Sequence, residues 1–456
     1  MWPTPSPAEA FVARRNRLQG LLRTPALLAA GFARPRNFPA NRHPFRAESH
    51  FLYLVGRPIE GAALYVDPSG SSTLYAPLPD PDAALWSGPQ PTLADLETEL
   101  QLPVRPVGEL RASRETSVLP PQDTETACWL SELVGRDVEP SGARALEGAD
   151  LELGQALIEL RLRHDQFAIE QLRQAATVTA LAHRAGMSAT RPGVREAAVR
   201  AAMEAAILAH GMTPAYNPIV TVHGEVLHNE RHHNPIAERD LLLADVGAET
   251  PEGWAGDVTR TWPVSGRFSG PQRALYDVVL AAQLSAIEAV RPGVAYREVH
   301  RTAGLKLLEG LIALGIFRGD LHELYEGGAA AVFFPHGVGH LLGLDVHDME
   351  DLGDLAGYAP GRTRSERPGD RYLRLDRDLE PGMAVTIEPG FYFIERLVSE
   401  GDLGELESAL NRSVLARYEE VRGIRIEDDV LVTDSGSEVL TSAIAKAAND
   451  VESLLR

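Results

Sequence analysis

A single cysteine, Cys128, in 456 residues leaves no partner for an internal disulfide. A reducing compartment allows that, and Cys128 itself reads as a small, half-buried side chain rather than a nucleophile. No run approaches the ~20 apolar residues that a membrane-spanning helix needs. The opening stretch, MWPTPSPAEAFVARRNRLQG, lacks the apolar core of a secretory leader. The expectation is a cytoplasmic protein with no membrane partner. Basic residues are in deficit too, with 44 Lys and Arg against 64 Asp and Glu, a formal charge of −20. A surface of that sign repels phosphate backbones and argues against a nucleic-acid partner. Most of the surplus acid reads as solvated surface, and part of it as carboxylates gathered to hold cations.

What is present is ordinary globular material, 44% apolar and 24% charged, enough for a sizeable core. Length alone suggests about three domains at ~150 residues each, but the features argue for two. Residues 1–160 read as an α/β unit. FLYLVG (Phe51 to Gly56) and AALYVD (Ala62 to Asp67) read as strands around an RPIEG turn, and SSTLYAPLP as a third strand. ETACWLSELVG reads as a helix, from the spacing of Ala127, Leu130 and Leu133. The linker falls near Leu157 to Arg163.

Residues 161–456 read as an α/β or α+β catalytic domain. A long helical stretch begins near Gly154, with Gly186 offered as its stop, and a second helix, EAAVRAAMEAAILAHG, follows the break at Pro192 and Gly193. The phrase RPGV recurs at Arg291, again opening a helical run, which hints at an internal duplication. Strand-like runs follow each helical half: LLLADVGAE, DVTRTWPVSG, AVTIEPGFYFI and GIRIEDDVLVTDSG. Residues 351–371 are polar and rich in Gly and Pro, and read as a long surface loop.

The chemistry lies where acids interrupt those apolar runs. Asp245, Asp257, Glu388 and Glu427 each sit in a strand-like segment, where a carboxylate is costly unless paired, protonated or bound to a metal. One such acid is an ordinary ion pair, whereas four in consecutive strands point to a metal cluster. The segment FFPHGVGHLLGLDVHD adds His336, His340 and His347, with glycines that permit close backbone approach. Four carboxylates with one imidazole make an oxygen-rich donor set that suits two adjacent Mn²⁺ ions, or Co²⁺ or Zn²⁺.

The pieces DVGAETPEGWAGDVTRT, PHGVGHLLGLDVHD, TIEPG and GIRIEDDVLVT, in that order, resemble the metal-ligand motifs of the pita-bread metallopeptidases. That family includes aminopeptidase P, prolidase and methionine aminopeptidase, and the resemblance runs from about residue 160 to 445. It implies a pita-bread catalytic domain behind the N-terminal α/β domain. It further implies that Asp245 chelates one metal, that Asp257 and Glu427 bridge both, and that His340 and Glu388 hold the second. His336, His347 and His228 would contact substrate, His347 also the developing oxyanion, with Tyr216 lining the proline pocket. The family usually places its first two aspartates eleven residues apart, whereas Asp245 and Asp257 are twelve apart, so the hairpin turn must absorb one residue. His232 and His233 match nothing in the family and read as a solvated loop.

RHPFRAESHFLYLVGRPIEGAALYV is similar to the amino-terminal domain that prolidases share with aminopeptidase P and that methionine aminopeptidases lack. Creatinase has such a domain but not the full metal set. The run AVTIEPGFYFIERLVSEG leans toward prolidase, and Arg374, fourteen residues before Glu388, matches the arginine that prolidases place on the dipeptide's carboxylate. Arg425 would support the site. The resemblance therefore implies hydrolysis of Xaa-Pro dipeptides, with water activated between the two ions and Glu388 as proton shuttle. The alternatives are an aminopeptidase P acting on longer peptides, and a non-catalytic pita-bread protein that only binds partners. A homodimer is expected, as is usual in the family.

Overall fold

The computed structural model describes residues 8–142, 145–399 and 403–455. Contacts divide the chain into two units, one running to residue 167 and including 351–356, the other comprising 168–350 and 357–456.

The first unit is built on a five-stranded mixed sheet in the order Val104–Pro106, Ser72–Ala76, Ala63–Val66, Ala26–Ala29, Ser117–Val118. Its three central strands pair antiparallel and its outer two parallel to their neighbours. Helix Thr124–Val134 covers it, placing Leu130 and Val134 in a core with Leu27, Ala63 and Val118. Cys128 lies on the exposed side of this helix, so it is not half-buried as expected. The strand expected over Phe51 to Gly56 is a helix, Ser49–Val55, with every residue buried. A run buried on all sides carries no period to separate helix from strand. The caps decide: Glu48 accepts the Phe51 N–H at 2.8 Å, and Gly56 closes the helix at φ 77°.

The segment 351–371 is not a plain surface loop. It starts in the turn Glu350–Leu352, continues as the short helix Asp354–Gly357, and its first residues belong to the amino-terminal unit. There Asp351 sits 3.2 Å from His50 Nε2, while Arg161 stands 3.0 Å from His50 Nδ1.

Two helices replace the single long one expected from Gly154. Gly148–Arg161 lies in the first unit, and Gln166–Ala189 lies, but for its first two residues, in the second. Gly186 does not stop the latter. It lies inside the helix, where the Met203 side chain packs closely against it, and the helix ends at Ala189, before Gly193 at φ 89°. The two RPGV phrases do form matching turns, Gly193 and Gly293 both at positive φ, each opening a helix: Glu196–Ala209 and Tyr296–Ala313. Helix Gly270–Ala289, absent from the sequence reading, carries its signal in SGPQ, a capping box between Ser269 and Gln272.

Two antiparallel ladders carry the functional side chains. In the first, Leu241–Asp245 pairs with Thr259–Pro263, Asp245 opposite Thr259, and the same register reaches the Glu249–Ala255 bridge. The hairpin is therefore regular down to its tip. The residue beyond family spacing is absorbed in the turn, where the Thr250 N–H meets Trp254 O at 2.9 Å and Gly253 takes φ 92°. In the second ladder, Ala384–Ile387 pairs with Asp428–Thr433, and Gly390–Tyr392 with Gly423–Arg425. Ile387 stands opposite Asp428 on one side of the break and Gly390 opposite Arg425 on the other, with equal numbers of residues between them on the two arms. It is one ladder in one register, interrupted where Glu388 faces Glu427.

The four acids are thus not inside strands, as expected, but at strand ends and interruptions. Asp245 ends its strand, Asp257 precedes Thr259 by two residues, and Glu388 and Glu427 occupy the gap. Backbone hydrogen bonding explains why. At the gap the Glu388 N–H turns to Val338 O at 2.8 Å and the Glu427 N–H to Thr259 O at 3.0 Å. Both groups stay satisfied, and the histidine-rich segment and the first ladder are drawn to the same point.

Candidate metal centre

Asp257, His340 and Glu427 are buried and each turns a ligand atom inward, the three atoms lying within 4.8 Å of one another. His340 Nε2 is 3.4 Å from Asp257 Oδ2 and 3.8 Å from Glu388 Oε1. Its other nitrogen, Nδ1, is 2.9 Å from Leu341 O. A carbonyl can only accept, so Nδ1 carries the proton and Nε2 presents a lone pair to the acids, the tautomer a metal requires. Gly339 allows this placement, because a side chain there would overlap Thr386 and the Tyr296 hydroxyl.

Asp245 completes the carboxylate set and is held from two sides. The Tyr216 hydroxyl lies 2.5 Å from its Oδ1 and 2.6 Å from Asp257 Oδ1, and Arg425 Nη2 donates to its Oδ2 at 2.6 Å. Arg425 Nε donates to Thr259 Oγ1 at 2.9 Å, and that hydroxyl donates to Glu427 Oε2 at 2.7 Å. All of these residues except Tyr216 and Thr259 line one cavity of about 370 Å³.

The charge balance fits divalent cations. Four carboxylates converge, and of the arginines lining the cavity Arg425 is the one hydrogen-bonded to them, at Asp245. Burial, then the neighbouring Asp245, pushes Asp257 up to about 8. Burial pushes Glu388 up to about 8, with Asp257 and Asp245 adding to it against the pull of Arg425. Burial and the same acids raise Glu427 well above the usual carboxylate range. His340 is lowered to about 4 by burial, which keeps it neutral and able to ligate. Such a pocket lacks positive charge in amounts that two divalent ions supply. A second group, Glu48, His50 and Asp351, gathers in the amino-terminal unit. There Arg161 supplies the positive charge and occupies His50 Nδ1.

The remaining expected residues divide. His228 and His347 line the cavity. His336 lines it as well, but both of its nitrogens are taken: Nδ1 donates to Gly337 O at 2.8 Å and Nε2 accepts from the Tyr392 hydroxyl at 2.8 Å. Burial lowers His336 to about 3, so it stays neutral in that arrangement. Arg374 lines the cavity, but it is not an open clamp, since its Nη1 donates to Glu350 Oε1. Glu350 Oε2 accepts from His347 Nδ1. His232 is not the solvated loop residue expected. It takes a bond from Arg200 at 3.1 Å and gives one to Pro218 O at 2.9 Å, tying its loop to helix Glu196–Ala209.

Sequence reasoning missed several supporting residues. His183, buried in helix Gln166–Ala189, places Nε2 3.1 Å from both Val246 O and Val258 O, the carbonyls next to Asp245 and Asp257. Asp429 accepts the Asp257 N–H at 3.2 Å through both oxygens. Tyr392 joins His336 to Arg425, at 2.8 and 3.0 Å. Signals existed for two of them, the doubled acid in IEDD and the aromatic run FYF, but nothing local marked His183.

Residues 170–434 match the model of metallopeptidase family M24, and residues 11–116 that of the aminopeptidase P amino-terminal domain. A probable Xaa-Pro aminopeptidase of Fusarium vanettenii is 33% identical over 424 residues, covering 91% of this chain and 87% of its own. The structure of Pseudomonas aeruginosa aminopeptidase PepP is similar at a TM-score of 0.81 and 29% identity, over 99% of this chain and 98% of that one. Aminopeptidase P from Escherichia coli with the inhibitor Pro-Leu is similar at a TM-score of 0.77 and 28% identity, over 99% of both chains.

Proposed function

Since the chain belongs to metallopeptidase family M24, with an aminopeptidase P amino-terminal domain ahead of a pita-bread catalytic domain, we propose that it releases the N-terminal residue from peptides with proline second. The observation that carries this over a dipeptidase is the likeness, along nearly the whole chain, to Xaa-Pro aminopeptidases. Site chemistry is common to both activities. The pairing of Arg374 with Glu350 supports the same choice, because a dipeptide's carboxylate finds Nη1 of that guanidinium already engaged.

Asp245, Asp257, His340, Glu388 and Glu427 would hold two divalent ions, Mn²⁺ foremost, with Co²⁺ or Zn²⁺ acceptable to the same oxygen-rich set. Bound there, the ions would supply Lewis acidity and lower the pKa of a water toward ~7. Glu388 takes up the proton of the attacking water and returns it to the leaving proline nitrogen. His347 gives its Nδ1 proton to Glu350 and, lowered to about 3 by the neighbouring His340 and by burial, keeps a lone pair at Nε2, so it could donate to the developing oxyanion only after taking up a second proton there. Proline has no backbone N–H to align, so the leaving side needs shape rather than an acceptor, which His228 and the His336–Tyr392 pair provide. Arg425 fixes Asp245 and takes no part in proton transfer. A cytoplasmic homodimer belongs to the same proposal, and a sedimentation mass of one chain would remove that part of it.

The test is the purified, Mn²⁺-loaded protein assayed on Ala-Pro-Ala-Ala and on Ala-Pro. Faster release of alanine from the longer peptide supports the aminopeptidase. Cleavage of the dipeptide alone would make it a prolidase. Silence on both, with metal bound, would overturn proline specificity.

A further inference from the structure

We propose that Glu350 sets substrate length: its carboxylate holds Arg374 where the terminal carboxylate of a dipeptide would dock, and so turns the site toward longer peptides. This rests on the Xaa-Pro aminopeptidase reading above.

Among the described residues three arginines line the cavity, and two are committed elsewhere. Arg425 is buried against Asp245, Tyr392 and Thr259. Arg364 gives Nη1 to Leu373 O at 2.9 Å and to Arg371 O at 3.1 Å. Arg374 remains, in the same cavity wall as His228, His347 and Glu388. Its Nη1 is taken by Glu350 Oε1. Glu350 is fixed from the other side as well, through Oε2 on His347 Nδ1. One carboxylate therefore joins two residues of the cavity wall, both beside the metal ligands.

A dipeptide split at its only peptide bond carries its carboxylate two bonds beyond the leaving proline nitrogen, and any longer peptide carries a neutral carbonyl at that place. An arriving carboxylate meets Glu350 as a like charge and must displace it from Arg374, whereas a carbonyl meets neither obstacle. Discrimination therefore falls on dipeptides. Glu350 and Arg374 are 42% and 40% exposed, so the effect is screened and moderate.

The experiment uses the Mn²⁺-loaded full-length enzyme and compares kcat/KM for Ala-Pro and Ala-Pro-Ala-Ala in wild type, Glu350→Gln, Arg374→Gln and the double variant. Loss of the contact to His347 acts on both peptides and cancels in their ratio. Glu350→Gln should raise the dipeptide-to-tetrapeptide ratio about fivefold, chiefly through KM for Ala-Pro, and added salt should shrink the gain. In the Arg374→Gln background the same change should leave the ratio unaltered. An unchanged ratio in Glu350→Gln would overturn the proposal, and so would a full effect without Arg374. The wild type's own preference decides the aminopeptidase reading, and the change on substitution decides Glu350.

Discussion

The Tyr216 hydroxyl lies 2.5 Å from Asp245 and 2.6 Å from Asp257, one phenol shared between two carboxylates that meet on the same face of a hairpin. The phenol proton serves one carboxylate at a time, and the second contact takes the proton that Asp257, pushed up to about 8 by burial and Asp245, holds in the metal-free chain. Such outer partners typically govern metal affinity by about 10–100-fold. Tyr216→Phe should weaken Mn²⁺ binding at the low end of that range, about tenfold, while leaving the far-ultraviolet spectrum unchanged. Isothermal titration of the metal-free protein reads it directly, and equal affinity would reduce Tyr216 to a packing residue.

Glu388 is asked both to ligate and to move a proton. Glu388→Gln keeps the shape of the side chain and removes its basicity, so kcat should fall by roughly 10²–10⁴. Metal content measured on the same sample separates the two roles. Full activity in a metal-replete variant would assign the proton transfer to another group.

Metal removal should make stability depend on pH in a sense opposite to that of ordinary acids. Asp257 and Glu388 are pushed up to about 8 in the folded, metal-free chain, whereas unfolded carboxylates titrate near ~4. Between those values these two groups bind more protons folded than unfolded, while His336 and His340, lowered to about 3 and 4, act the opposite way below ~6.5, so stability falls as pH rises from about 6.5 to 8. The chelated protein should therefore melt several degrees lower near pH 8 than near pH 6.5, relative to the Mn²⁺-loaded protein over the same range. Parallel melting curves for the two forms would refute the charge deficit.

His183 should matter for stability and metal binding together. His183→Ala removes the donor shared by Val246 O and Val258 O, and a lost buried partner costs roughly 1–3 kcal/mol. The urea midpoint should drop at constant slope, and Mn²⁺ affinity should drop with it because the carbonyls flank Asp245 and Asp257. Loss of stability with full affinity would show that the hairpin does not depend on this tie.

The carboxylates and His340 were legible in the sequence because acids in apolar runs are conspicuous and their order matches a known motif set. Their exact seats were not. Glu388 and Glu427 read as strand residues, because the gap they occupy exists only once Val338 and Thr259 take over the backbone bonds. The helix Ser49–Val55 was misread for want of a period, and Gly186 because the side chain packed against it, that of Met203, lies on another helix. Arg374 was recognisable as an arginine near the site, but its partner Glu350 stood unmarked at the edge of a Gly- and Pro-rich stretch. His183 lies 63 and 75 residues from the carbonyls it joins, a distance no local pattern spans.

The interrupted ladder has a consequence for how the chain proves itself folded. Glu388 and Glu427 stand opposite each other only while the two arms keep one register. A slip of a single residue would turn one arm's side chains to the other face and part the pair. The gap therefore works as an alignment mark: a chain able to grip a cation there has assembled its sheet correctly, and a misaligned one has no grip to offer. A dye or ion that competes for this seat would count correctly folded molecules in a mixed population, before any peptide is added.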